Sequence, residues 1–226
     1  MPAQPLILAV DATGEYGSLA LTRGGKIVEE LPLHSPSGFA HVLFGSLSEL
    51  LGRHGVKAAE IDCFASASGP GSFTGVRVGL AFAKGLAEAL GKPAVAVSNL
   101  RALAEFGAAP LRATALDARR GEVYAAVYDA AGNAVCPEGV TNFKAWLERV
   151  PFENLEFISP DFSAFGGAFA GTRFENAALV TAPRALAGAI ARIALAAFEG
   201  GEAADPAALD ANYVRRSDAE LFWKEA

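Results

Sequence analysis

The order of apolar runs and turns predicts an α/β fold in which one unit, βββαβαβα, is used twice. Two meanders, opening near Leu6 and Thr114, each begin with a strand that ends in an aspartate, Asp11 and Asp117. A Gly-containing turn follows each aspartate by about fifteen residues. Helical and extended runs then alternate after each meander, the order that adds parallel crossovers to an antiparallel start.

Taken in order, Leu6–Asp11 and Tyr16–Thr22 read as strands, and Gly24-Gly25 turns into a third over Lys26–Leu33. Gly38–His54 reads as a helix, because Phe39, Val42, Leu43, Leu47, Leu50 and Leu51 recur at helical spacing. Ile61–Ser66 is a strand, Thr74–Leu90 a helix and Ala94–Val97 a strand, and a helix from about Ser98 closes the unit. The second half is looser. Thr114–Asp117 and Glu122–Tyr128 are strands, and Gly132-Asn133 leads into a short third. A helix over Asn142–Arg149, short strands at Phe157–Ile158 and Leu179–Val180, and an amphipathic helix over Arg184–Glu199 follow. Ser159–Arg173 has no firm period and fits a degenerate helix or an ordered loop. Gly200–Ala208 reads as a surface linker before Tyr213-Val-Arg-Arg and a tail whose Phe222 and Trp223 dock on the chain's own core or on a partner. The expected division is 1–103 and 104–226, with the tail 209–226 packing back on the first part.

Composition bounds the partners. At 226 residues and 52% apolar, the chain is long enough for a sizeable core. A net charge of −6 argues against autonomous nucleic-acid binding, which rests on Lys and Arg at phosphates. Cys63 and Cys136 read as free thiols, consistent with a reducing compartment. Met-Pro-Ala-Gln carries no basic leader, and Leu6–Val10 is too short for a signal or membrane segment, so a cytoplasmic protein is expected.

The densest signal is Ser68-Gly-Pro-Gly-Ser-Phe-Thr-Gly-Val-Arg-Val-Gly, a sharp turn into a helix with Ser72 and Thr74 as candidate caps. A phosphate cradle and a tight turn before a packed helix both fit it. It is not a P-loop, since Val76-Arg77 follow Gly75 where Lys and Ser/Thr belong, nor a nucleophile elbow. From Val76 to Leu90 only Arg77, Lys84 and Glu88 are charged, so the helix is apolar on two faces and buries both. Gly75, Gly79, Ala83 and Ala87 form a small-residue row, with Leu80 and Leu90 beside it, suited to close helix approach.

These residues resemble the signature of the bacterial TsaB (YeaZ) family. Leu8-Ala-Val-Asp-Ala-Thr13, Ser98-Asn-Leu, Leu116-Asp-Ala-Arg-Arg-Gly-Glu-Val-Tyr124 and Tyr213-Val-Arg agree in order, so the resemblance spans nearly the whole chain. Ala12 departs from it, standing where the family usually has Thr. The resemblance implies an actin-like ATPase fold and a role in making threonylcarbamoyladenosine at position 37 of tRNA. TsaD would carry the transfer, with TsaE, an ATPase, and TsaC, which makes threonylcarbamoyl-AMP, completing the pathway. It also implies a four-helix interface with TsaD, a face that a second copy could occupy as a homodimer. His41, Phe73, Val76, Arg77, Leu80, Ala83, Lys84 and Ala87 are the candidate interface residues.

In actin-like folds, carboxylates in the places of Asp11 and Asp117 hold a metal–phosphate group through water. The bland reading is that each caps its own turn, and for Asp117 that reading is preferred. Asp11, Thr13, Gly69 and Asp117 are the candidate nucleotide-cleft residues. His34, His41 and His54 give no ligand pair at helical spacing, so no metal site is expected. No catalytic residue and no required cofactor is expected, with at most weak ATP/ADP binding; tRNA would be met only through the complex. An active actin-like ATPase or phosphotransferase is the alternative. A peptidase, a label carried by relatives, finds no nucleophile–base or zinc constellation here.

Overall fold

A computed structural model describes residues 4–215; the docking of Phe222 and Trp223 lies outside the described residues. β1 (Leu6–Asp11) is apolar up to its last residue and buried throughout, the pattern of a strand covered on both faces. It pairs antiparallel with β2 (Tyr16–Arg23), which pairs antiparallel with β3 (Lys26–His34). On its other side β1 runs parallel to β4 (Cys63–Ala67), and β4 to β5 (Ala94–Val97), giving the order β3-β2-β1-β4-β5.

Leu6, Leu8 and Val10 share a core with Leu43, Leu47 and Leu50 of α1 (Leu43–Arg53) and Val76, Leu80 and Ala83 of α2 (Phe73–Leu90). The first helix is shorter than its periodicity suggests. Phe39 to Val42 form hydrogen-bonded turns before it, so His41 sits ahead of the helix and not on it. Gly91, in the left-handed region at φ 62°, ends α2.

The same plan recurs with β6 (Leu111–Asp117), β7 (Glu122–Asp129), β8 (Ala134–Asn142), β9 (Glu156–Ser159) and β10 (Ala178–Thr181), in the order β10-β9-β6-β7-β8. The third strand, expected to be short, runs nine residues. α3 (Asn99–Ala104) stands between the two sheets in sequence, and α4 (Phe143–Arg149) is capped by the Asn142 side chain, which accepts from the Ala145 N–H at 3.1 Å. Within Ser159–Arg173 only a 3₁₀ turn at Gly166–Phe169 is helical. Gly166-Gly167 gives no helical bias, and Phe165, Phe169 and Phe174 fill the space by stacking edge-on around Phe143 and Phe157.

The last helix corrects the expected division. α5 (Ala187–Glu199) packs on β1, β2 and β4 of the first sheet. Its N-terminus has no cap of its own; Ser18 Oγ accepts from Ala187 N–H and Glu30 Oε1 from Gly188 N–H, each at 2.9 Å. The partners for its free amides thus lie on β2 and β3, and the chain returns to reach them. One unit therefore comprises residues up to 99 with 184–212, the other 100–183 with the described residues from 213 onward, in place of a boundary at 103/104. Gly200–Ala208 is also more than a linker: Ala204 and Ala94 exchange backbone bonds of 3.0 and 3.1 Å.

Candidate functional site

β1 delivers Asp11 to the turn that leads into β2, and the aspartate spends its carboxylate there. Oδ1 accepts from the Thr13 N–H at 2.9 Å and from the Thr13 hydroxyl at 2.7 Å. Asn99 Nδ2 donates to Thr13 Oγ1 at 2.8 Å, while Asn99 Oδ1 accepts from Gly69 N–H at 3.0 Å. Gly69 has φ 100° and returns its carbonyl to Asn99 N–H at 2.8 Å. Asp11, Thr13 and Gly69 are therefore brought together, joined by Asn99, a residue absent from the candidates although Ser98-Asn-Leu lay within the resemblance. Burial pushes the Asp11 carboxyl above the usual carboxylate range; hydrogen bonds from Thr13 and Asn99 act against that rise.

The start of α2 is clamped to the same turn. Ser72 N–H donates to Thr13 O at 2.6 Å, and Ser72 Oγ accepts from Gly75 N–H at 3.3 Å, so Ser72 is the cap. A Cβ on Gly71 would lie 2.6 Å from Thr13 O, and one on Gly75 would be driven into Ala12 O. Glycine at these positions serves close backbone-to-backbone contact between turn and helix. Of the two readings of the motif, the packed turn describes this arrangement.

The small-residue row has the same destination, which corrects the expected geometry. Gly79 lies against Ser66 and Ala12, and Ala83, 1% exposed, and Ala87 sit in the core with Val76 and Leu80. The row fits the helix to its own sheet. Four of the eight candidate interface residues, Val76, Leu80, Ala83 and Ala87, are thus packed inside the chain. Lys84 is half-buried and reaches Ala207 O at 3.4 Å. His41, Phe73 and Arg77 are exposed, with the Arg77 guanidinium 3.7 Å over the Phe73 ring. Phe44, missed from the sequence, is 63% exposed and touches Phe82 edge-on at 5.0 Å. Its signal was its position: a bulky aromatic beside, rather than on, the apolar stripe of its helix.

Asp117 belongs to the other unit and caps its own turn, Oδ1 accepting from Arg119 N–H at 2.8 Å. Arg119 and Arg120 follow with φ 64° and 57°, and Gly121 with 75°. Arg215, from the Tyr213-Val-Arg segment, donates to Ala118 O at 2.8 Å and pairs with the Glu122 carboxylate. Elsewhere, burial pushes the Cys63 thiol up to about 12, whereas Cys136 is half-buried; both are free. Among the described residues no cluster of three or more His, Cys, Asp or Glu side chains is placed to hold a metal, and no helix is long and apolar enough to cross a membrane.

Two sheets of identical strand order, each headed by an aspartate that closes the turn after its first strand, define an actin-like ATPase fold. The family model described as TsaD, tRNA N6-adenosine threonylcarbamoyltransferase, matches residues 32–208. The tRNA threonylcarbamoyladenosine biosynthesis protein TsaB of Bacillus subtilis is 30% identical, with 97% of this chain and 98% of that protein aligned. TsaB of Escherichia coli is 35% identical over 133 residues, a stretch that spans only 57% of each chain. A crystal structure of a Pseudomonas aeruginosa protein, described as similar to peptidase YeaZ, superposes with a TM-score of 0.79 at 28% identity, covering 93% of this chain and all of that one. The chain belongs to the TsaB (YeaZ) family.

Proposed function

We propose that the chain acts in tRNA threonylcarbamoyladenosine synthesis as a non-catalytic subunit that binds and supports a TsaD transferase, together with TsaE. The names of its relatives support the pathway. The observation that carries the non-catalytic reading is the inward Asp11: its Oδ1 is held by Thr13, and the helix start that would face a phosphate is pressed onto Ala12 and Thr13. A carboxylate so buried and occupied is poorly placed to hold a hydrated metal, which favours this reading over an active ATPase or phosphotransferase. No cofactor is required for it, and any ATP/ADP binding is weak.

The partner face in this reading is the exposed rim of α1 and α2 with the turn before α1, carrying Phe44, Phe73, Arg77 and His41, rather than the buried row. Aromatics and arginine are the residue types that anchor interfaces. A homodimer in isolation would use this same face, and tRNA would be met through the complex, in the cytoplasm. Two experiments test the proposal. Purified chain is assayed for ATP hydrolysis and threonylcarbamoyl transfer; turnover lost in Asp11→Ala overturns the non-catalytic reading. Phe44→Asp should keep the fold and weaken binding to the TsaD of the same organism by at least about tenfold. Unchanged binding would place the interface elsewhere.

A further inference from the structure

The turn before α2 is pinned at both ends by a closed ring of hydrogen bonds. At its first residue, Gly69 N–H donates to Asn99 Oδ1 at 3.0 Å, and Gly69 O accepts from Asn99 N–H at 2.8 Å. At its last, Ser72 N–H donates to Thr13 O at 2.6 Å. The two anchors are joined to each other, Asn99 Nδ2 donating to Thr13 Oγ1 at 2.8 Å, and Asp11 fixes Thr13 in turn. Asp11, Thr13 and Asn99 are all buried.

Such a ring is a weak source of stability, because each polar group in it gives up water and regains only what its partner returns. What a satisfied buried network supplies is geometry: hydrogen bonds are directional and apolar contacts are not. The start of α2 needs that direction. The underside of the helix, Gly75, Gly79, Ala83 and Ala87, is nearly smooth, and a smooth apolar face resists lifting more than sliding. The ring ends on Ser72, the cap, and Phe73 is the next residue. Arg77 follows about one turn later, its guanidinium 3.7 Å over the Phe73 ring. Both side chains are exposed. Phe44, by contrast, stands on α1 and touches Phe82, about two and a half turns further along α2 than Phe73.

We infer that Asp11, Thr13 and Asn99 are positioning residues for the partner face, fixing the start of α2 so that Phe73 and Arg77 meet the TsaD transferase in one orientation. The inference rests on the proposed function and deepens it. The three residues touch no partner themselves; they act through Ser72 and the helix it caps.

The test is a set of double-mutant cycles read in affinity for the TsaD of the same organism by titration calorimetry. Asn99→Ala alone should weaken binding about fivefold. With Phe73→Ala and Arg77→Ala already in place the effect should vanish, because the groups being positioned are gone. With Phe44→Ala in place it should persist at about fivefold, since Phe44 does not depend on the cap. Thr13→Val keeps the side chain's shape, removes the hydroxyl that Asp11 and Asn99 share, and repeats the cycles independently. Thr13→Ser should restore binding. Circular dichroism reports whether each variant is folded at the temperature of measurement.

An equal loss in every background, or no loss in any, overturns the inference and makes the ring a matter of stability alone. Loss of the fold in both Asn99→Ala and Thr13→Val has the same meaning. Wild-type affinity in Phe73→Ala with Arg77→Ala, beside weakened binding in Phe44→Ala, also overturns it while leaving the proposed function in place. Failure of the wild-type chain to bind TsaD overturns the proposed function with it.

Discussion

The turns after β1 and after β6 start from the same device and end with opposite properties. Each strand finishes in an aspartate whose Oδ1 accepts the N–H two residues on, at 2.9 Å for Asp11 and 2.8 Å for Asp117. After Asp11 the chain offers Ala12 and Thr13, small enough for α2 and Asn99 to close over them, and this first part of the turn is buried before Gly14–Tyr16 emerge at the surface. After Asp117 it offers buried Ala118 and then two arginines, and Arg119, Arg120 and Gly121 are exposed. The repeated topology fixes where a turn occurs. The two or three residues after the aspartate decide whether that turn becomes part of a core or part of a surface.

Glycine substitutions should break this contrast most sharply. Gly75→Ala drives a methyl group into Ala12 O, and only a shift of α2 from its sheet relieves it, so a loss of about 3 kcal/mol is expected in chemical denaturation. Gly121→Ala meets nothing within 4 Å and carries only the cost of its φ of 75°, about 1 kcal/mol. Equal losses would show that the first turn is not clamped as described.

Asn99→Ala comes next. It leaves Gly69 N–H without its side-chain acceptor and the Thr13 hydroxyl with Asp11 but not the amide that donates to it, at a cost of about 2 kcal/mol. Arg215→Ala should cost less, about 1 kcal/mol, because its pairing with Glu122 is partly in water. A smaller effect concerns the pH dependence linked to Asp11. The Asp11 pKa is raised in the fold, so the stability linked to it is complete below the unfolded-state pKa and falls as pH rises through the folded value. Asp11→Asn, which keeps an oxygen for Thr13, should therefore be at least as stable as wild type at neutral pH. Its relative advantage should shrink as pH falls through the carboxylate range. A variant less stable at pH 7 than at pH 4, relative to wild type, would contradict this. Labelling by a thiol reagent at pH 8 should be the least perturbing test: Cys136 reacts in the native state, and Cys63, pushed up to about 12, reacts only on unfolding.

Much of the strand order was legible because β1 is a continuous apolar run, and β2, β6 and β7 are largely apolar segments, that end at turns of defined chemistry. What one sequence does not disclose is the destination of a well-patterned face. The row Gly75, Gly79, Ala83, Ala87 permits close approach equally to a neighbouring helix or to the chain's own strands, and here the strands take it. The apolar stripe of α5 likewise announces burial without naming a sheet. The deciding contacts, Ser18 and Glu30 at its N-terminus, lie more than 150 residues earlier in the chain. Asn99 escaped notice for a related reason: a buried amide becomes meaningful only when its two partners, 30 and 86 residues away, are known to be adjacent.

The return of α5 sets a timetable for synthesis. When residue 99 has left the ribosome, all five strands of the first sheet exist, but β1, β2 and β4 still lack the helix that belongs on them. That surface must wait for some ninety further residues, through residues 100–183 of the second unit, before Ala187–Glu199 emerges to cover it. A nascent chain in this interval carries uncovered apolar strands, the state in which proteins recruit chaperones or aggregate. A fragment ending anywhere between 100 and 186 would be frozen in that condition, so the first unit cannot be produced by simple truncation and needs residues 184–212 supplied in the same chain or alongside it.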